Sequence, residues 1–153
     1  MDTKFSSAIH MLILISEAET PMSSEQIAVS VGTNPSYIRK LAGLLKSAGM
    51  IDSRQGRSGF ALTTAPEKLT LWQIYCAVEE TEQLHLFDIH RNPNDACIVG
   101  RTIQPTLSGM FAAIEASAQH ELKEKTLQDC MDAMRKNIEV SLNDCIERTA
   151  CSQ

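Results

Sequence analysis

The chain is 153 residues long, 43% hydrophobic and 22% charged, enough apolar material to close a core without disulfide or metal staples. Its net charge of −5 taken alone argues against a nucleic-acid binder. Its five cysteines, at 76, 97, 130, 145 and 151, are odd in number and hold no Cys-x-x-Cys pair, which argues against a disulfide framework.

Met1-Asp2-Thr3-Lys4 lacks the basic start of a secretory signal, and the apolar run at 8–15 is too short to span a bilayer. A cytoplasmic protein with no membrane association is expected. Phe5, Ala8, Ile9, Leu12 and Ile15 recur at three- and four-residue steps and predict a first helix over 4–18. Ser23-Ser24-Glu25-Gln26 is a capping box that opens a short helix over 24–31, with Ile27, Ala28 and Val31 facing inward. Gly32-Thr33 turns the chain. Asn34 then caps a third helix, with Pro35 at its first position. Tyr37, Ile38, Leu41, Leu44 and Leu45 line one side of that helix; Ser36, Arg39, Lys40 and Lys46 lie largely on the other, and Gly49 stops it.

Two short helices joined by a tight turn make a helix-turn-helix. The next residues sharpen the reading. Positions 50–54 and 60–63 form the strands of a hairpin whose turn holds Gly56, Arg57, Ser58 and Gly59. A hairpin directly after a helix-turn-helix is a wing. Between Asn34 and Leu62 five basic residues (Arg39, Lys40, Lys46, Arg54, Arg57) stand against Asp52 alone. This is a local positive patch on an otherwise acidic body, and it suits phosphates.

Beyond the wing, a helix begins near Thr70 and runs to Glu80, with Leu71, Ile74, Tyr75 and Val78 on its apolar face. Positions 81–96 read as a long loop, rich in Asp, Asn and His, of the functional or mobile kind. From about Gly100 the chain is helical again. Ile103, Leu107, Met110, Phe111 and Ile114 make one stripe, and Pro105 must lie in a first turn or bend the helix. Leu127, Met131, Met134, Ile138, Leu142 and Cys145 make a second, with Thr126 as its cap. Because the first 80 residues can already close a core, the natural use of both stripes is a dimer arm.

These residues define a mainly α fold with a small β-hairpin: a winged helix-turn-helix over 1–80, a sensor or effector loop over 81–99, a helical dimerisation arm over 100–147 and a frayed tail over 148–153. The stretch from Asn34 to Glu80 resembles the Rrf-two family of bacterial transcriptional regulators. The resemblance rests on Tyr37-Ile38, the Gly49-Met50-Ile51 exit, the Arg57 to Leu62 wing and the run from Leu69-Thr70-Leu71 to Ala77-Val78-Glu79. Cys97-Ile98-Val99-Gly100-Arg101 before a long helix and Thr126-Leu127-Gln128-Asp129 at the start of the last extend it over nearly the whole chain.

The resemblance implies a homodimer that sets two recognition helices into successive major grooves of a near-palindromic operator on double-stranded DNA, as a repressor. It puts Ser36, Tyr37, Arg39 and Lys40 at base and phosphate contacts and Arg54, Arg57, Ser58 and Gly59 in the wing. Leu107, Phe111, Ile114, Leu127, Met131, Met134 and Ile138 become the dimer seam. Cluster-binding members carry three cysteines in the loop before the long helix; this chain has Cys97 alone there, beside His85, Asp88, His90 and Asp95. No metal and no cofactor is therefore expected.

Cys97 stands at a helix start, with Arg101 one turn on, where a thiol is made more acidic. It is a candidate redox sensor, with Cys145 a possible disulfide partner; an inert space-filling thiol is the other reading. An unidentified small ligand or partner protein acting at the junction of the two halves is an alternative signal. A protein–protein adapter that has lost DNA binding is a further alternative. No phosphate loop, nucleophile elbow or paired catalytic motif supports an enzyme.

Overall fold

A computed structural model describes residues 3–53 and 59–150, with side chains through residue 142. Helix α1 (Lys4–Glu17) buries Ala8, Met11, Leu12 and Ile15. Helix α2 (Ser24–Val31) starts at the anticipated box: the Ser23 hydroxyl accepts from the Gln26 amide, and the Gln26 side chain accepts from the Ser23 amide. Helix α3 (Pro35–Ser47) is capped by Asn34, whose side chain accepts from the Tyr37 amide at 2.9 Å. Strands β1 (Ile51–Ser53) and β2 (Phe60–Leu62) pair antiparallel, Ile51 opposite Leu62 and Ser53 opposite Phe60. A 3-10 turn (Pro66–Lys68) leads to α4 (Leu71–Glu79), opened by a second box, Thr70 with Gln73. Two long helices finish the chain, α5 (Ile98–Glu124) and α6 (Leu127–Ala150). No helix among the described residues is long and apolar enough to cross a membrane.

Alpha helices 1 to 4 and strand β1 close around one core containing Met11, Leu12, Ile27, Ile38, Leu41, Leu45, Ile51, Ile74 and Val78. The core does not end at residue 80. Leu127 is fully buried in it and Met131 nearly so. The start of α6 is stitched there by backbone. Leu71 donates its amide to the Lys125 carbonyl, Leu127 donates to the Leu69 carbonyl, both at 2.8 Å, and Thr70 faces Thr126 in an antiparallel bridge. Arg135 adds an ion pair to Glu17 on α1 at 2.6 Å. Two expectations are thereby corrected. Residues 1–80 do not close their core unaided, and Leu127 and Met131 belong to the protomer's own interior, not to a seam with a second chain.

Helix α5 is different. None of its 27 residues is buried, although Met110 and Ile114 are large, apolar and exposed. Ile103, Leu107 and Phe111 are half-buried on the same helix. Pro105 lies inside it, past the first turn, so the Arg101 carbonyl lacks its usual helical donor. The distal half of α6 likewise exposes Ile138, Val140 and Leu142.

The segment between α4 and α5 is pinned along α5. Glu115 accepts the Leu86 amide at 2.7 Å, Phe87 packs on Phe111 with ring centroids 5.0 Å apart, and the Gln104 side chain donates to the His90 carbonyl at 2.8 Å. Leu84 is buried beneath it. Polar composition hid these attachments, because each is made with a residue on a helix far along the chain.

Candidate nucleic-acid interface

Helix α3 divides cleanly into two faces. Ile38, Leu41, Ala42 and Leu45 are buried. Ser36, Arg39, Lys40, Gly43, Lys46 and Ser47 are exposed, and their spacing of three and four residues keeps them on one stripe. The apolar face fixes the helix to the core, so the polar face points away from it.

Two of the cations are held by neighbours. The Arg39 guanidinium donates to the Glu25 carboxylate on α2 at 2.5 Å. Lys46 donates to the Ser53 hydroxyl at 2.7 Å and lies 3.3 Å from Asp52, which ties α3 to β1. Glu25 is held below the usual carboxylate range, first by its own amide at the helix start, then by Ser24, then by Arg39. Ser36 and Lys40 are exposed.

Tyr37 departs from expectation. It packs half-buried against the core cluster, and its hydroxyl is buried without a hydrogen-bond partner among the described residues. It supports the helix in place of offering a polar tip to a ligand. The residue that sequence reasoning passed over is Gly43. A Cβ there would meet nothing within 4 Å, so no packing within the protomer requires glycine. Its position one turn beyond Arg39 and Lys40 was the available signal.

The wing is braced at its base. Phe60 donates its amide to the Met22 carbonyl at 2.9 Å, and the two residues form a bridge. Gly59 has φ 137°, and a Cβ on it would fall 2.7 Å from the Pro21 carbonyl carbon. Glycine is thus demanded by a close crossing of backbones inside the protomer. Arg54, Arg57 and Ser58 lie outside the described residues.

Cys97 is exposed and precedes α5. Its thiol is held below the usual range by the backbone N–H groups of Gly100 and then Val99. Arg101 does not contribute; its Nε donates to the Asp95 carbonyl at 3.2 Å. Burial pushes the Cys76 and Cys130 thiols up. Cys145 and Cys151 lie outside the described side chains. Of the expected seam, Leu107, Phe111 and Met134 are half-buried, while Ile114 and Ile138 are about half exposed.

A family model for Rrf2, described as an iron-dependent transcriptional regulator, matches residues 1–133. The Bacillus subtilis protein named "Putative HTH-type transcriptional regulator YwnA" is 40% identical over 132 residues, covering 86% of this chain and 97% of its own. A crystal structure described as "a putative DNA binding protein" is 38% identical, covers 84% of this chain and 98% of that one, and superposes with a TM-score of 0.67. The cysteine regulator CymR of B. subtilis shares the fold at 20% identity and a TM-score of 0.63, over 85% of this chain and 94% of its own.

The iron in the family's description finds no fitting donor set. Among the described residues no three His, Cys, Asp or Glu side chains converge as metal ligands. Cys97 is the one cysteine in the segment between α4 and α5, and His85, earlier in the same segment, is engaged by Asp88 at 2.9 Å. The extent of the family match and the identity to YwnA leave one conclusion: the chain belongs to the Rrf2 family of winged-helix transcriptional regulators, which are not enzymes.

Proposed function

We propose that this regulator acts as a homodimeric repressor that reads a near-palindromic operator. Helix α3 enters the major groove with Ser36, Arg39 and Lys40 toward base edges and phosphates, and the wing lies along the flanking backbone. The observation that carries the reading is the single polar stripe on α3, held rigidly by the buried face beneath it. Gly43 in mid-stripe supports a close approach of nucleic acid at that point. The unpartnered apolar residues Met110 and Ile114 on α5, and Ile138 and Leu142 on α6, support pairing with a second copy, which would set the two recognition helices one or more helical turns apart.

Cys97 is the proposed switch. Its exposure and acidified thiol support attack on a peroxide: the thiolate sulfur bonds one oxygen, the O–O bond breaks, and hydroxide leaves, giving a sulfenic acid. The cysteine sits at the junction of the pinned segment and α5, so added bulk and polarity there bear on how the two halves meet.

The test is anisotropy of labelled DNA from upstream of the protein's own gene, with reduced and peroxide-treated protein, beside Cys97→Ser. Binding should fall steeply with salt as phosphate contacts release counterions. Oxidation should change it in the wild type only. Absence of binding at low salt overturns the DNA reading and favours an adapter. Binding that ignores peroxide removes the thiol switch.

A further inference from the structure

An open cleft of about 810 Å³ lies where the end of α3, helix α4 and helix α5 meet. Its volume is in the range of small-molecule sites. Met50, Leu69, Trp72 and Cys76 give it an apolar wall. Lys123 of α5 reaches in from one side, its ammonium 5.5 Å from the centre of the Trp72 ring. Glu80 and Glu82 also line it.

Three features define this cleft. First, Glu80, Glu82 and Lys123 are exposed and make no ion pair among the described residues, so charges of both signs line one cleft and are open to a ligand. Glu82 and Lys123 act with opposite sign on the same Cys76 thiol, which puts both within electrostatic reach of its apolar wall. Second, Glu80 is the left-handed cap that ends α4, φ 53°, so the helix terminates at the cleft. Third, the lining bridges the two halves of the chain: Ala48 directly follows α3, while Gln119 and Lys123 belong to α5.

We propose that this cleft binds a small zwitterion, an α-amino acid with an apolar side chain, as the effector of the regulator. The ligand's carboxylate pairs with Lys123, its ammonium with Glu82 or Glu80, and its side chain lies against Cys76 and the edge of Trp72. A simple anion would face two carboxylates, and a simple cation would face Lys123; a zwitterion with an apolar body uses all three charges and the wall. Because the site touches both the end of α3 and α5, a ligand that favours one arrangement of the halves shifts DNA affinity by its differential binding. The assignment of an effector role rests on the DNA-binding reading above; the assignment of a ligand class does not.

Trp72 is the chain's single tryptophan, so its fluorescence reports the cleft directly. The full-length protein is titrated, without DNA, with L-phenylalanine and L-leucine, and with phenethylamine and hydrocinnamate, which each lack one charge. Calorimetry on the same samples guards against a silent fluorophore. Saturable binding of the amino acids, weakened about tenfold or more by Lys123→Ala, by Glu82→Gln and by loss of either ligand charge, supports the proposal. Lys123→Arg should retain binding. No binding of either amino acid at millimolar concentration by either method overturns it, as a cleft covered by a second copy in the dimer would require. Equal binding of phenethylamine or hydrocinnamate overturns the zwitterion assignment. Failure here leaves the DNA reading standing, since no DNA is present. If ligand binds, anisotropy with and without it then tests the effector role, and unchanged operator affinity overturns that role.

Discussion

Glu25 and Arg39 join the two helices of the helix-turn-helix through a 2.5 Å contact, although both side chains are more than half exposed. An exposed pair of this kind adds little to stability, but it fixes where a guanidinium points. Arg39→Ala should weaken specific operator binding by about 1–3 kcal/mol if Arg39 reads a base edge, and by a similar amount on random DNA if it meets only phosphate. Glu25→Gln should leave the melting temperature nearly unchanged. It should tighten binding to random DNA by removing a carboxylate from the phosphate-facing side, and so lower the ratio of specific to random affinity. An unaltered ratio would show that the pair does not orient Arg39 for reading.

Gly43 makes a prediction in which stability and function move in opposite directions. Glycine inside a helix costs about 0.5–1 kcal/mol relative to alanine, and nothing in the protomer obstructs a methyl group at this position. Gly43→Ala should raise the unfolding free energy by that amount. It should also weaken DNA binding, because the added carbon stands on the polar stripe between Lys40 and Lys46. Chemical denaturation and anisotropy on the same preparation read both effects; unchanged DNA affinity would mean that Gly43 faces open solvent in the complex.

The helix starts were legible because their signals are local. Ser23 with Gln26, Asn34 before Pro35, and Thr126 with Asp129 each cap a helix within four residues. The two faces of α3 were legible for the same reason. What periodicity does not say is which surface covers an apolar stripe. Leu127 and Ile138 belong to one stripe in the sequence, yet the bridge between Thr70 and Thr126 draws Leu127 into the core and leaves Ile138 outside. The Glu25–Arg39 pair depends on the crossing of two helices, the cleft at Trp72 on the meeting of three. Neither has a spacing to read.

That division of α6 is directly testable. Leu127→Ala should destabilise the fold by about 2–5 kcal/mol, the cost of a cavity at a fully buried leucine, without acting specifically on self-association. Ile138→Glu should leave the unfolding transition of the core almost unmoved and shift the sedimentation profile toward monomer. Met110→Glu on α5 should do the same. If these exposed substitutions leave the oligomer unchanged while Leu127→Ala dissociates it, the assignment of surfaces is reversed.

The segment along α5 carries a pH-dependent clasp at His85. Its imidazole lies 2.9 Å from Asp88 and 3.5 Å from Glu115. The hydrogen bond to Asp88, then the charges of Asp88 and Glu115, raise the histidine above its ordinary value of 6.5. A folded-state value above the unfolded one means that the clasp's contribution is complete below the unfolded value and is lost as pH rises through the folded one. The backbone bonds from Leu86 and Phe87 to Glu115 involve no imidazole proton and should persist. In NMR, the His85 ring should therefore titrate with a midpoint above 6.5. Amide exchange around Leu86, corrected for its intrinsic pH dependence, should quicken across that midpoint. His85→Gln should abolish the step while leaving a basal level of protection. A midpoint at or below the ordinary value would show that Asp88 and Glu115 do not hold the ring in solution.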